Sequence, residues 1–81
     1  MDKEQIIEVI TRNLIENLDD IDPAAINPEG SMRDYGANSL DIIEVVSCSM
    51  RELKIKVPRS ELADIQNINQ LADKFLEYVN S

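Results

Sequence analysis

Three stretches of this chain repeat apolar residues at helical spacing, and no stretch sustains the two-residue alternation of a strand. Ile7, Ile10, Leu14 and Leu18, flanked by Ile6 and Ile15, mark one side of residues 3–18, with Glu8, Arg12 and Glu16 on the other. At about 100° per residue, Ile42, Ile43, Val46, Met50 and Leu53 fall on one side of residues 39–54, with Ser49 at its edge. Ile68, Leu71, Ala72, Phe75, Leu76 and Val79 form a third stripe that ends near residue 79. Each stripe leaves water only by meeting another, which predicts an all-α fold, a four-helix bundle of three longer helices and one short one.

Local capping pairs place the helix starts. Asp2 with Gln5, Asn38 with Asp41 and Asn67 with Gln70 each set a capping side chain three residues before an acid or amide that can reach back. Ser31 with Asp34 predicts a further helical turn over Ser31–Tyr35. Lys54-Ile55-Lys56-Val57-Pro58 alternates, but it is short and ends in proline; it reads as an extended connector with Ile55 or Val57 turned inward. Ser60 is expected to cap a short turn reaching about Asp64, held by Leu62, and such a turn depends on packing. Asp19 to Asn38 is rich in breakers and reads as a long irregular first loop, pinned by Ile21, Ile26, Met32 and Tyr35.

The chain has 81 residues, enough for one domain over 1–81 with a thin core and no deep cleft. Its net charge of −8 argues against nucleic acid and anionic membranes and for basic protein partners. Residues 1–30 hold eight acids and two bases, whereas residues 51–81 hold five of each. Arg51, Lys54, Lys56 and Arg59 cluster at and after the end of the middle helix. Without histidine and with one cysteine, imidazole catalysis, a Cys/His zinc cluster and an internal disulfide are excluded. A calcium loop starting at Asp20 fails: its sixth residue is Ala25 and its twelfth Ser31, where Gly and Glu are needed. The carboxylates lie on faces expected to be exposed, and the chain lacks a phosphate-binding glycine pattern. No enzyme, no catalytic residue and no metal site is therefore expected. No signal peptide or membrane span is apparent, and a free-standing cytoplasmic monomer is the expectation.

One joint carries chemistry. Gly36 permits a positive φ, Asn38 caps the next helix, and Ser39 takes its first position. A phosphate on the Ser39 hydroxyl would meet unpaired backbone N–H groups and the positive end of a helix dipole. The outer face that follows is mixed: Leu40, Asp41, Glu44, Ser47, Cys48 and Arg51, an arrangement suited to docking. Cys48 is expected to be partly exposed. With no histidine to activate it and no helix N-terminus nearby, it is not expected to act as a nucleophile.

Asp34-Tyr35-Gly36-Ala37-Asn38-Ser39-Leu40-Asp41 resembles the phosphopantetheine attachment motif of acyl carrier proteins, usually Asp-Leu-Gly-Ala/Ile-Asp-Ser-Leu-Asp. The match continues through Glu44, Leu53 and Val57-Pro58 and covers nearly the whole chain; Tyr35 stands for the usual Leu and Asn38 for the common Asp. The resemblance implies 4'-phosphopantetheine, supplied from coenzyme A by a phosphopantetheinyl transferase and attached to Ser39, with acyl groups carried as thioesters. It implies that the middle helix is read by partner enzymes such as acyltransferases and ketosynthases. A sheltering acyl pocket is expected from Ile42, Ser49, Val57, Leu62 and Ile68.

Val57-Pro58-Arg59-x-Glu61-Leu62-Ala63 and Asn67-Ile68-x-x-Leu71-Ala72-Asp73 resemble stand-alone carriers of polyketide β-branching, which deliver acetyl to a synthase resembling hydroxymethylglutaryl-CoA synthase. Residues 42 and 43 are often Arg-Ala in such carriers and are Ile-Ile here. A primary fatty-acid carrier is the alternative; its middle helix is usually more acidic than Asp41, Glu44 and Glu52 make this one. A D-alanyl or peptidyl carrier shares the chemistry with another cargo, and an unmodified acidic interaction module is the reading from a different class.

Overall fold

The computed structural model describes residues 2–18, 22, 24, 26, 27, 29–62, 65 and 67–80. In chain order it has α1 (Lys3–Asn17), a 3₁₀ turn (Met32–Tyr35), α2 (Ser39–Leu53), α3 (Arg59–Leu62) and α4 (Ile68–Val79). The described elements are all helical: three long α-helices, as the apolar stripes require, one short α-helix and the 3₁₀ turn. Ile21, the acids Asp19 and Asp20, and Ala63 and Asp64 at the end of the expected short turn lie outside the described residues.

Each predicted cap closes in space. Asp2 and Gln5, Ser31 and Asp34, and Asn38 and Asp41 form reciprocal capping boxes, and Asn67 accepts from the Gln70 N–H. These are contacts between near neighbours in the chain, so local sequence is sufficient to specify them. The short helix is the exception. It starts at Arg59, with the Glu61 N–H bonded to the Pro58 carbonyl, so Ser60 lies inside it rather than at its cap. Proline fixes the φ needed for a helix entry, and here the turn closes back onto Pro58 itself.

α1 packs against both α2 and α4. Its core residues are Ile6, Val9, Ile10, Asn13 and Leu14. Ile7 is only half-buried at the core margin, because a helix with two neighbours must centre its buried face between them. On α2 the expected face is also turned. Val45 and Ser49 are fully buried, Ile42, Val46, Met50 and Leu53 flank them, and Ile43 is 49% exposed. The apolar residues of α2 span more than half of its circumference, so something must remain outside. Asn13 of α1 meets the buried edge: its Nδ2 donates to the Val9 carbonyl at 2.8 Å and to Ser49 Oγ at 3.4 Å. The small serine lets α1 approach and gives the buried amide a partner.

Ile68, Leu71, Ala72 and Phe75 of α4 complete the core with Val57 of the connector. Val57 is the inward residue of that connector and Ile55 is half-buried, as the alternation predicts. Ion pairs bridge the helices at the surface: Lys3 to Asp73, Arg12 to Glu52, and Lys74 to Glu61. In the first loop, Met32 is buried, and Ile26 and Tyr35 pack against the core. The Tyr35 hydroxyl donates to the Asn27 carbonyl at 3.1 Å and accepts from the Asn27 N–H, stapling the loop to the turn that precedes α2.

Candidate functional site

The site begins with a reversal of the chain. Gly36 ends the 3₁₀ turn at φ 91°, a left-handed value that costs a side-chain-bearing residue energy. Ala37 is buried and anchors the return. Asn38 then caps α2: its side chain accepts from the Asp41 N–H at 2.9 Å, and the Asp41 carboxylate accepts from the Asn38 N–H at 3.1 Å. Ser39 emerges as the first residue of α2, exposed, next to Leu40, which is 76% exposed. The hydroxyl is therefore presented at a helix tip held by the buried residue before it and by the cap.

A charged neighbour completes the site. Arg33, on the 3₁₀ turn, places Nη2 3.4 Å from Ser39 Oγ, a long hydrogen bond in which the guanidinium donates. Sequence reasoning missed this residue. The available signal is that Arg33 is the only base between Arg12 and Arg51. Its link to Ser39 depends on the turn at Gly36, which no helical periodicity reports.

Beside the serine lies a groove of about 850 Å³ between α2, the 3₁₀ turn and the α3 region. Ile42, Ile43, Val46 and Met50 line it from α2, facing Val57 and Leu62, with Arg33 and Arg59 among its polar residues. Of the residues expected around a pocket, Ile42, Val57 and Leu62 are brought together here. Ser49 and Ile68 are not among the lining residues. Ser49 is turned to Asn13, and Ile68 is fully buried in the core. Ile43, expected in the core, instead borders this groove because Val45 took the face toward α1.

The outer face of α2 is as mixed as its composition. Leu40, Glu44 and Arg51 are exposed, while Asp41 and Cys48 are half-buried. Cys48 Sγ lies 3.9 Å from a Glu44 carboxylate oxygen, and Ser47 turns toward the groove. Among the described residues there is no group of three or more side chains suited to hold a metal ion. No helix is long and apolar enough to cross a membrane, among the same residues.

This geometry fits an anionic group joined to the serine. The hydroxyl belongs to an exposed residue, a cation stands beside it, and an apolar groove opens alongside. Comparisons with known proteins identify the family. Residues 10–75 match the family described as the phosphopantetheine attachment site. The chain is 36% identical to the polyketide biosynthesis acyl-carrier protein AcpK of Bacillus subtilis, over 100% of this chain and 99% of that one. It is 34% identical to an acyl carrier protein of Saccharopolyspora erythraea, over 98% of this chain and 83% of that one. Among solved structures it matches a chain in the curacin biosynthetic pathway HMG synthase in complex with acetyl donor-ACP. The TM-score is 0.83 at 32% identity, over 93% of this chain and 96% of that one. With that family match over most of its length and an exposed serine at a capped helix tip, the chain belongs to the acyl carrier proteins, whose prosthetic group is a covalently attached phosphopantetheine.

Proposed function

We propose that this protein carries acetyl or another short acyl group in polyketide biosynthesis and donates it to a β-branching enzyme resembling HMG synthase. The observation that carries this reading is the likeness, at 32% identity, to a chain in an HMG synthase–acetyl donor-ACP complex. The resemblance to AcpK over the full length of both chains supports the polyketide setting. Glu52 adds to it: its carboxylate is paired with Arg12 of α1, so α2 offers partners fewer acids than its composition implies. That is unlike the acidic middle helix of primary fatty-acid carriers.

In this reading Ser39 Oγ accepts phosphopantetheine from coenzyme A through a separate transferase. The group supplies a terminal thiol for the thioester. The chain holds and presents it and catalyses nothing. Leu40, Asp41, Glu44, Ser47, Cys48 and Arg51 meet the partner enzymes, and Ile42, Val57 and Leu62, joined by Ile43, Val46 and Met50, shelter the acyl chain. Tethering raises the effective concentration of the intermediate at each partner, and contacts of modest strength allow release.

The test has two stages. Wild type and Ser39→Ala are incubated with coenzyme A and a broad-specificity phosphopantetheinyl transferase, and intact masses are recorded. Wild type gains the arm and Ser39→Ala does not; a folded wild type without mass gain overturns the carrier reading. The loaded protein is then acetylated and offered to an HMG-synthase-like enzyme. Transfer of acetyl is expected. Efficient fatty-acid elongation without any such transfer overturns the proposed pathway.

A further inference from the structure

We infer that Arg33 is a positioning residue for the arm: its guanidinium holds the phosphodiester on Ser39 and turns the root of the arm toward the groove rather than toward Leu40. The inference rests on the carrier reading above and deepens it. Three observations converge. Arg33 Nη2 already donates to Ser39 Oγ across the Gly36 turn. Arg33 also lines the groove, so one side chain touches both the attachment point and the apolar space beside it. Its charge is uncommitted: it makes no ion pair among the described residues, and the neighbouring Asp34 carboxylate is engaged by the Ser31 N–H.

Replacing a neutral hydroxyl by a phosphodiester makes this contact stronger, because the guanidinium then faces an anion and its planar fork can donate to two phosphate oxygens at once. The contact joins opposite charges at an exposed site, so it weakens as salt rises. The pair is exposed, so the clamp yields when a partner enzyme draws the arm out. The mixed charge of the site follows: one base is kept at the serine in a stretch that is otherwise acidic from Asn13 to Met50.

The experiment uses the loaded protein. Wild type, Arg33→Gln and Arg33→Lys are taken to complete loading, checked by intact mass, and their folding is checked by amide spectra. The phosphorus-31 resonance of the arm is then measured for position and transverse relaxation. In wild type the phosphorus is expected to relax as part of the bundle. R33Q shifts the resonance and loses that restricted motion, and R33K restores part of it, since an ammonium keeps the charge but not the planar fork. Raising salt from about 0.1 M to about 1 M, which shortens the screening length from roughly 10 Å to roughly 3 Å, moves wild type toward R33Q. Indistinguishable phosphorus signals in loaded wild type and R33Q overturn the role of Arg33 while leaving the carrier reading intact. A folded wild type that gains no mass overturns both.

Discussion

Asn13 of α1 and Ser49 of α2 meet 3.4 Å apart in the buried contact between the two helices, although they lie 36 positions apart in the chain. Removing the serine hydroxyl leaves Asn13 its bond to the Val9 carbonyl, so Ser49→Ala is expected to cost about 1 kcal/mol. Asn13→Ala also opens space in the core and is expected to cost about 2 kcal/mol. The double variant should cost less than the two together, by roughly 0.5–1 kcal/mol, because both remove one shared contact. Urea unfolding of the four proteins measures this; strict additivity would mean that the pair does not set how α1 seats on α2.

Two of the described residues have left-handed backbone, and they predict opposite outcomes. Gly36 at φ 91° has open space around it, so Gly36→Ala carries a backbone penalty alone, about 1–2 kcal/mol. Lys54 at φ 58° ends α2, with the Ile55 N–H bonded to the Met50 carbonyl, a position where glycine is favoured. Lys54→Gly is therefore expected to stabilise by about 0.5–1 kcal/mol. Melting temperatures that move in the same direction for both would contradict this account.

Tyr35 stands where the attachment motif that the sequence resembles usually has leucine, and its hydroxyl has a structural task. Tyr35→Phe keeps the ring against the core and removes both bonds to Asn27. A loss of about 1 kcal/mol is expected, with faster amide exchange at Asn27. Gly30→Ala should disturb the same staple, since a Cβ there would lie 2.8 Å from the Tyr35 hydroxyl. Unchanged exchange at Asn27 in Tyr35→Phe would refute the staple.

Leu40 is 76% exposed beside Ser39 and contributes little to the core. Leu40→Asp is expected to leave stability within about 0.5 kcal/mol. The same change should lower kcat/KM of the phosphopantetheinyl transferase by about tenfold, equivalent to ~1.4 kcal/mol of lost docking. An unaltered kcat/KM would remove Leu40 from the docking face.

Lys74 predicts a pH effect. Its side-chain hydrogen bond to Glu77, aided by the charges of Glu77 and Glu61, raises its pKa above the ordinary 10.5, with burial opposing. A cation whose folded pKa is raised contributes stability that is fully present below the unfolded value and is lost as pH climbs through the folded one. The stability difference between wild type and Lys74→Met should therefore be constant at neutral pH and shrink at strongly alkaline pH. Chemical denaturation between about pH 9 and about pH 12 checks the sign.

What could be seen in the sequence was whatever depends on near neighbours. The three apolar stripes, the caps at Asp2, Ser31, Asn38 and Asn67, and the glycine before the serine all act within one or two turns of chain. Residue identity therefore suffices for them, and for an exposed Ser39 at a helix tip. Which edge of α2 is buried was not visible there. Its apolar arc is too wide to choose a centre, and Val45 and Ser49 are buried in place of Ile43 on the side where Asn13 of another helix meets Ser49. The approach of Arg33 to Ser39, the pairing of Glu52 with Arg12 and the groove bordered by Ile43 likewise arise only once the elements are packed. The physical division is one of range: caps and periodicity are short-range terms written along the chain, whereas facing, pairing and cavities come from the mutual fit of surfaces far apart in it.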